Sequence, residues 1–215
     1  MEFQLLQLLL LTKRSDPCYH RIAACEEKTM KKSLGAVNCL YPMPTVLVGA
    51  MVNGKPNYIT IAHVGIVTIN LISISSHRDH FTNAGIKESR TFSINVAPEG
   101  LVKETDYCGI VSGREVNKTV LFANFYGLLK TAPMIAACPI CMECKLVQTL
   151  DFRTHELFVG EIVATYAEES VLTDGVVDFA KAKPILFDMP QKKYWKLGEA
   201  LAKCWDVGKQ LVRGG

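Results

Sequence analysis

Between Ser75 and Thr82 the chain reads SSHRDHFT, with Ser75, Ser76, Arg78 and Thr82 inside eight residues. Serine and threonine hydroxyls donate short hydrogen bonds, and arginine offers a planar fork of donors that matches phosphate. A helix beginning here would add free N–H groups and the positive end of its dipole. The residue types therefore suit an oxyanion cradle. A capped strand-to-helix loop at the surface uses the same types, and both readings stand on composition alone.

Four further sets carry possible chemistry. Asn57, Thr60, Ala62 and Gly65 place small residues and an amide at the end of a strand, where a flat ring can lie against backbone; a plain hairpin strand has the same look. Ser112–Gly113–Arg114 with Lys118 sets a basic pair beside a glycine turn, either reaching that oxyanion from a second segment or forming a solvated loop. Cys138, Cys141 and Cys144 spell C-x-x-C-x-x-C. An iron–sulfur cluster takes four thiolates, and in a strand Cys138 and Cys144 would share a face while Cys141 points away. Buried thiols acting as small hydrophobes are the favoured reading, with no metal. His155, beside Glu156, can face a bound ring and move a proton near neutral pH, or can simply cap a strand.

The elements that must position these sets read as mostly β. Residues 45–52 and 58–62 are apolar and β-branched around Asn53–Gly54, a hairpin signal. Residues 63–65 read as a turn and 67–75 as the next strand. Residues 77–88 then read as a short helix. Residues 90–97 alternate, with Phe92, Ile94 and Val96 on one face and Ser93 and Asn95 on the other. A helix is expected over 101–111, an extended segment broken by Pro139 over 135–150, and a strand over 155–166. Gly160 inside that strand signals a bulge or a close approach. Residues 194–209 give a final amphipathic helix, with Leu197, Leu201 and Trp205 on its buried stripe. Strands and helices do not alternate as in a nucleotide-binding α/β chain, and no G-x-G-x-x-G follows a strand.

Composition sets the limits. With 215 residues, one domain is expected, at roughly 100–200 residues each. Lys+Arg of 24 against Asp+Glu of 21 is too balanced and too scattered for a nucleic-acid binder. Eight cysteines in a large, apolar chain read as free thiols of a reducing, cytoplasmic setting rather than a disulfide frame. The sequon at Asn117–Lys118–Thr119 is then accidental. Residues 1–29 read as an extension or a misassigned start, with the folded domain over 30–215. The leucine run over 5–11 is too short for a bilayer, which needs ~20 apolar residues, and its basic residues follow rather than precede it.

Taken together, these segments resemble the flavin reductase-like family, in particular its flavoredoxin branch. The resemblance runs through PTVLVG at 44–49, NYITIAHVG at 57–65, the Ser75–Thr82 turn, FSINV at 92–96 and CGIVSGREVNK at 108–118. It continues through ECK at 143–145, HELFVGEI at 155–162 and YWKLG at 194–198. It implies a mainly β, Greek-key FMN-binding split β-barrel with flanking helices and a C-terminal helix. It implies FMN held without a covalent bond at or near a homodimer interface, with Ser75, Ser76, Arg78, Thr82 and Lys118 on the phosphate. Asn57, Thr60, Ala62 and His63 would line the ring, and His155, from the residue reading above, is the catalytic candidate beside it. Many relatives carry a tryptophan where this chain has His63, and an imidazole stacks less but can hydrogen-bond or titrate.

The expected function is NAD(P)H-dependent flavin reduction or flavin-mediated electron transfer. The alternatives are a carrier that shuttles electrons between redox protein partners, and a cysteine-centred metal-binding barrel. No membrane or nucleic-acid partner is expected.

Overall fold

The computed structural model describes residues 31–211. The chain divides into two units, Met1–Cys39 and Leu40–Gly215. The described residues of the first, 31–39, form no regular element. The extension expected over 1–29 lies outside the described residues.

The second unit is built on strands: β1 (Met43–Pro44), β2 (Val46–Val52), β3 (Lys55–Ile61), β4 (Val64–Ile66), β5 (Leu71–His77) and β6 (Thr91–Val96). These are followed by β7 (Asn124–Phe125), β8 (Met134–Ile135), β9 (Ile140–Asp151) and β10 (His155–Ala167). The last are β11 (Leu172–Thr173), β12 (Val176–Val177), β13 (Ile185–Asp188) and β14 (Lys193–Lys196). Among the described residues three α-helices accompany them: α1 (Thr82–Ser89), α2 (Val102–Ile110) and α3 (Phe179–Ala182).

Seven strands form one antiparallel sheet in the order β3-β2-β6-β9-β10-β5-β4. The β2–β3 hairpin closes at Asn53 and Gly54, with φ of 52° and 74°. Two successive positive φ values match the twist of the flanking strands, which is why Asn-Gly serves there. The sheet is covered on both sides. One face packs Val48, Ile59, Ile74, Phe92, Ile94 and Phe158 around Ile86 of α1. The other packs Leu47 and Tyr58 against Met134, Ile135, Cys138 and Cys141.

The alternation in β6 holds, yet its polar face is buried too. Asn95 Nδ2 donates to the Leu47 carbonyl at 2.8 Å, and its Oδ1 accepts from Ile135 N–H at 2.9 Å. Ser93 donates to the Pro133 carbonyl. Buried polar groups persist when each finds a partner. Gly160 sits at a register shift between β9 and β10. A Cβ there would lie 2.5 Å from Phe92 Cζ, so the ring needs the glycine.

Four expectations are corrected. Residues 63–65 do not turn: β4 pairs with β5, Val64 opposite Ile74, and the turn falls at 67–70 instead. The helix expected from 77 starts at Thr82, because β5 runs on through His77 to pair with His155. The C-terminal helix does not form. Lys193–Lys196 is instead a strand on β13, pinned by Trp195 Nε1 donating to Asp188 Oδ2 at 3.3 Å. Beyond it Leu201 and Trp205 are 102% and 92% exposed, and an amphipathic helix without a surface for its stripe has little to hold it. Finally, Cys138 and Cys141 share one core cluster while Cys144 lies in the other. Pro139 keeps Cys138 out of β9, so strand alternation does not govern it.

Among the described residues, no helix is long and apolar enough to cross a membrane.

Candidate functional site

Strand β5 decides which hydroxyl goes where. Its side chains alternate, so Ile72, Ile74 and Ser76 are buried while Ser73, Ser75 and His77 sit on the more open face. Ser75 and Ser76, adjacent in sequence, therefore serve different places. Ser75 and His77 line a cavity of about 300 Å³ together with Thr60, Ala62, His63, His80 and His155. Its remaining wall is Ile61, Asp106, Gly109, Ile110, Phe187, Met189 and Tyr194, from β3, α2 and the β13–β14 hairpin with its turn.

Ser76 belongs to the scaffold. Its hydroxyl donates to Asn83 Oδ1 at 2.7 Å, while Asn83 Nδ2 donates to the His77 carbonyl and to Glu156 Oε2, both at 2.9 Å. Lys87 closes the network on Glu156 at 2.8 Å. Asn57 and Thr82 are likewise joined, Nδ2 to Oγ1 at 2.7 Å, and both are buried. Thr60 donates its hydroxyl to the Thr105 carbonyl. Arg78 is exposed, with Nε and Nη2 donating to the Phe152 carbonyl at 2.8 and 2.6 Å and Nη2 3.3 Å from Asp151.

Beyond His80, Gly109 and Ile110 the cavity adjoins a second one of about 250 Å³. This is lined by Thr82, Lys118 and the Ser112–Gly113–Arg114 turn, with Asp79 and Phe81. The turn is a donor-rich surface. The Ser112 and Gly113 N–H groups have no backbone acceptor among the described residues. Arg114 lies over the Phe81 ring at 5.5 Å and uses Nη1 on the Asp79 carbonyl at 2.8 Å, leaving most of its fork open. A Cβ on Gly113 would fall 2.0 Å from Asn57 Oδ1, so only glycine lets the turn approach β3 this closely. Lys118 is buried, donating to the Tyr58 and Cys108 carbonyls at 3.0 and 2.9 Å. Burial lowers its pKa, opposed by the nearby Cys108. An ammonium has three donors, and one remains for a ligand.

The structure thus brings Thr60, Ala62, His63, Ser75 and His155 to one cavity and Thr82 and Lys118 to its neighbour. Asn57, Ser76 and Arg78 line neither of the two. Sequence reasoning missed His77, although it stands two residues from Ser75 on the same strand face. It also left out His80, Asp106, Phe187, Met189 and Tyr194, which reach the cavity from separate segments and carry no local signal.

Cys108, Cys138, Cys141 and Cys144 are thiols in a packed interior, while Cys39 and Cys204 are exposed. Burial pushes Cys141 and Cys144 up to about 12 and Cys108 to about 11, and Cys138 higher still. Cys141 Sγ donates to the Ile135 carbonyl at 3.4 Å. Among the described residues, no group of three or more His, Cys, Asp or Glu is placed to hold a metal ion.

Residues 38–187 match the model of the flavin reductase like domain. The chain belongs to the flavin reductase-like family. Its fold is that family's split barrel, and its place is in the flavoredoxin branch. It is 43% identical to the flavoredoxin of Methanosarcina acetivorans, over 84% of this chain and 98% of that one, with a TM-score of 0.82. The flavoredoxin of Desulfovibrio vulgaris (Miyazaki F) is 33% identical over 83% and 100% of the two chains, with a TM-score of 0.78. An uncharacterized protein of Archaeoglobus fulgidus is 30% identical over 58% of this chain and 72% of its own length.

Proposed function

We propose that this chain is an FMN-binding flavoprotein that takes electrons from NAD(P)H or a redox protein and passes them to an acceptor. One observation carries the reading. The histidine-lined cavity and the Ser112–Gly113–Arg114 cavity adjoin through His80, Gly109 and Ile110, giving a groove with an apolar-walled end and a donor-rich end. A planar ring bearing a phosphate ester has that same division of chemistry. The flavoredoxins support the branch, and an FMN-binding protein of Thermus thermophilus shares the fold at 24% identity.

At the donor-rich end, the Ser112 and Gly113 N–H groups, the Arg114 fork, Thr82 and the third Lys118 donor would hold the phosphate. Thr60, Ala62 and His63 would line the ring, with Asn57 shaping the turn beneath it through Gly113. Bound flavin supplies hydride acceptance and one- or two-electron release. His155 lies at the ring end, its pKa lowered by burial and by His63 and His77, so it is neutral at pH 7 and can give or take one proton. A homodimer and a cytoplasmic setting go with this reading, the latter supported by the free thiols of all six described cysteines.

The test is the absorption spectrum after incubation with FMN and desalting, followed by NADH or NADPH. A retained yellow complement with steady nicotinamide oxidation on adding free flavin supports a reductase. A retained complement inert to both nucleotides supports the carrier. Protein that emerges colourless overturns the flavin reading.

A further inference from the structure

Four of the five histidines in the chain line a single cavity. Their rings form a row: His80 to His77 at 5.8 Å, His77 to His155 at 5.4 Å, and His155 to His63 at 6.0 Å. They come from three places, the β3–β4 junction, the end of β5 with its turn, and the start of β10, so no local motif explains them. Among the described residues, each ring is anchored by one nitrogen only. His63 Nε2 meets Tyr41 Oη at 3.0 Å, His155 Nδ1 meets Thr154 Oγ1 at 2.8 Å, and His77 Nδ1 accepts from Asp79 N–H at 3.4 Å. His80 Nδ1 lies 2.9 Å from Ser76 Oγ.

The His80 tautomer follows from its neighbours. Asn83 Nδ2 donates twice, so its Oδ1 accepts the single Ser76 hydrogen. His80 Nδ1 must then be the donor to Ser76. In the neutral ring Nε2 is bare and basic, and a proton there turns it into a donor. His77 is the reverse: Nδ1 accepts from the backbone, so Nε2 carries the hydrogen.

Around this row counter-charges are few. Asp79 is exposed and 3.6 Å from His77 Nδ1, Asp106 accepts from Tyr194 Oη at 3.0 Å, and Arg78 is occupied by Asp151. Lys118 adds positive charge from the side of His80. The rest of the wall is the apolar set Ile61, Ala62, Ile110, Phe187 and Met189, with the hydroxyls of Thr60 and Ser75 among them.

We propose that the His63–His155–His77–His80 row is a subsite for a small organic carboxylate with an apolar body, and that the anion binds together with a proton taken from solvent. The subsite would lie beside the flavin ring, and in that respect it rests on the function proposed above. Burial and repulsion from the neighbouring rings lower the pKa values of His80 and His155, so these two rings are neutral at pH 7 when the subsite is empty. A bound carboxylate supplies the missing opposite charge and favours the cationic ring. Anion binding and protonation therefore strengthen each other, and the affinity rises as pH falls.

The probes are benzoate and its neutral isostere benzamide, titrated calorimetrically into FMN-loaded protein in buffers of different ionisation enthalpy. Expected are uptake of about one proton per benzoate, a Kd tightening up to about tenfold per pH unit between pH 7.5 and 6.5, and benzamide binding at least tenfold weaker. His77→Gln and, separately, His155→Gln should each reduce the proton uptake and flatten the pH slope. Benzoate binding that ignores pH, benzamide binding as tightly, or FMN released by benzoate would overturn the subsite. A protein that takes up no FMN defeats the flavin reading, while the proton coupling stays measurable on the flavin-free chain.

Discussion

The network under α1 and the groove beside it are built from similar residue types and differ in how much of their hydrogen-bonding capacity the fold already uses. Around Ser76, Asn83 and Glu156 every polar side chain is paired inside the protein. At the histidine row and the Ser112–Gly113–Arg114 turn, backbone donors and one nitrogen of each ring are without a partner among the described residues. Adjacent polar residues in a sequence thus divide into framework and site by the face of the strand they occupy. A cluster of hydroxyls and cations shows that one of these roles is present, and only the pleat says which residue has it.

The largest effect should come from breaking the framework. Asn83→Ala removes three hydrogen bonds from a residue only 2% exposed, taking the acceptor from the Ser76 hydroxyl hydrogen and the donors from the His77 carbonyl and one oxygen of Glu156. At ~1–3 kcal/mol for each buried group left unsatisfied, urea unfolding should show a loss of about 2–4 kcal/mol. A loss below ~1 kcal/mol would mean the network does not brace α1.

Next comes the contrast between two arginines. Arg114→Ala should weaken FMN by about 1.5–3 kcal/mol, the range for a hydrogen bond to a charged group. Arg78→Ala removes an exposed ion pair worth under ~1 kcal/mol and should change FMN affinity less. Fluorescence titration of both variants decides, and the reverse order would return the phosphate to the Arg78 turn.

The smallest effect is on pH-dependent stability. His80 and His155 have folded-state pKa values below the ordinary histidine value near 6.5. The unfolded chain therefore takes the proton first. Stability is complete above that pH and declines as pH falls through it. Calorimetric melting should show a lower Tm at pH 5.5 than at 7.5, and His80→Gln should lessen the slope.

Much of this was legible in the sequence. Asn53–Gly54 gave the β2–β3 hairpin, the β6 alternation gave its two faces, and Gly160 marked the bulge, because each depends on a residue's own φ or size. The C-terminal stripe of Leu197, Leu201 and Trp205 misled, since periodicity reports a face without supplying a surface to cover it. The candidate site was half visible. Ser75 and His155 were found from strand ends and His63 from the family resemblance, but Tyr194 and Phe187 come from a strand pair that no short-range pattern tied to β3.

The central claim is a flavin groove whose donor-rich end holds a phosphate. It is tested most directly by the ratio of FMN to riboflavin affinity, measured by fluorescence quenching on the unaltered protein. Riboflavin has the same ring and lacks the phosphate. The structure predicts FMN bound at least tenfold more tightly, with the preference shrinking as salt is raised. Equal affinity for the two would contradict it.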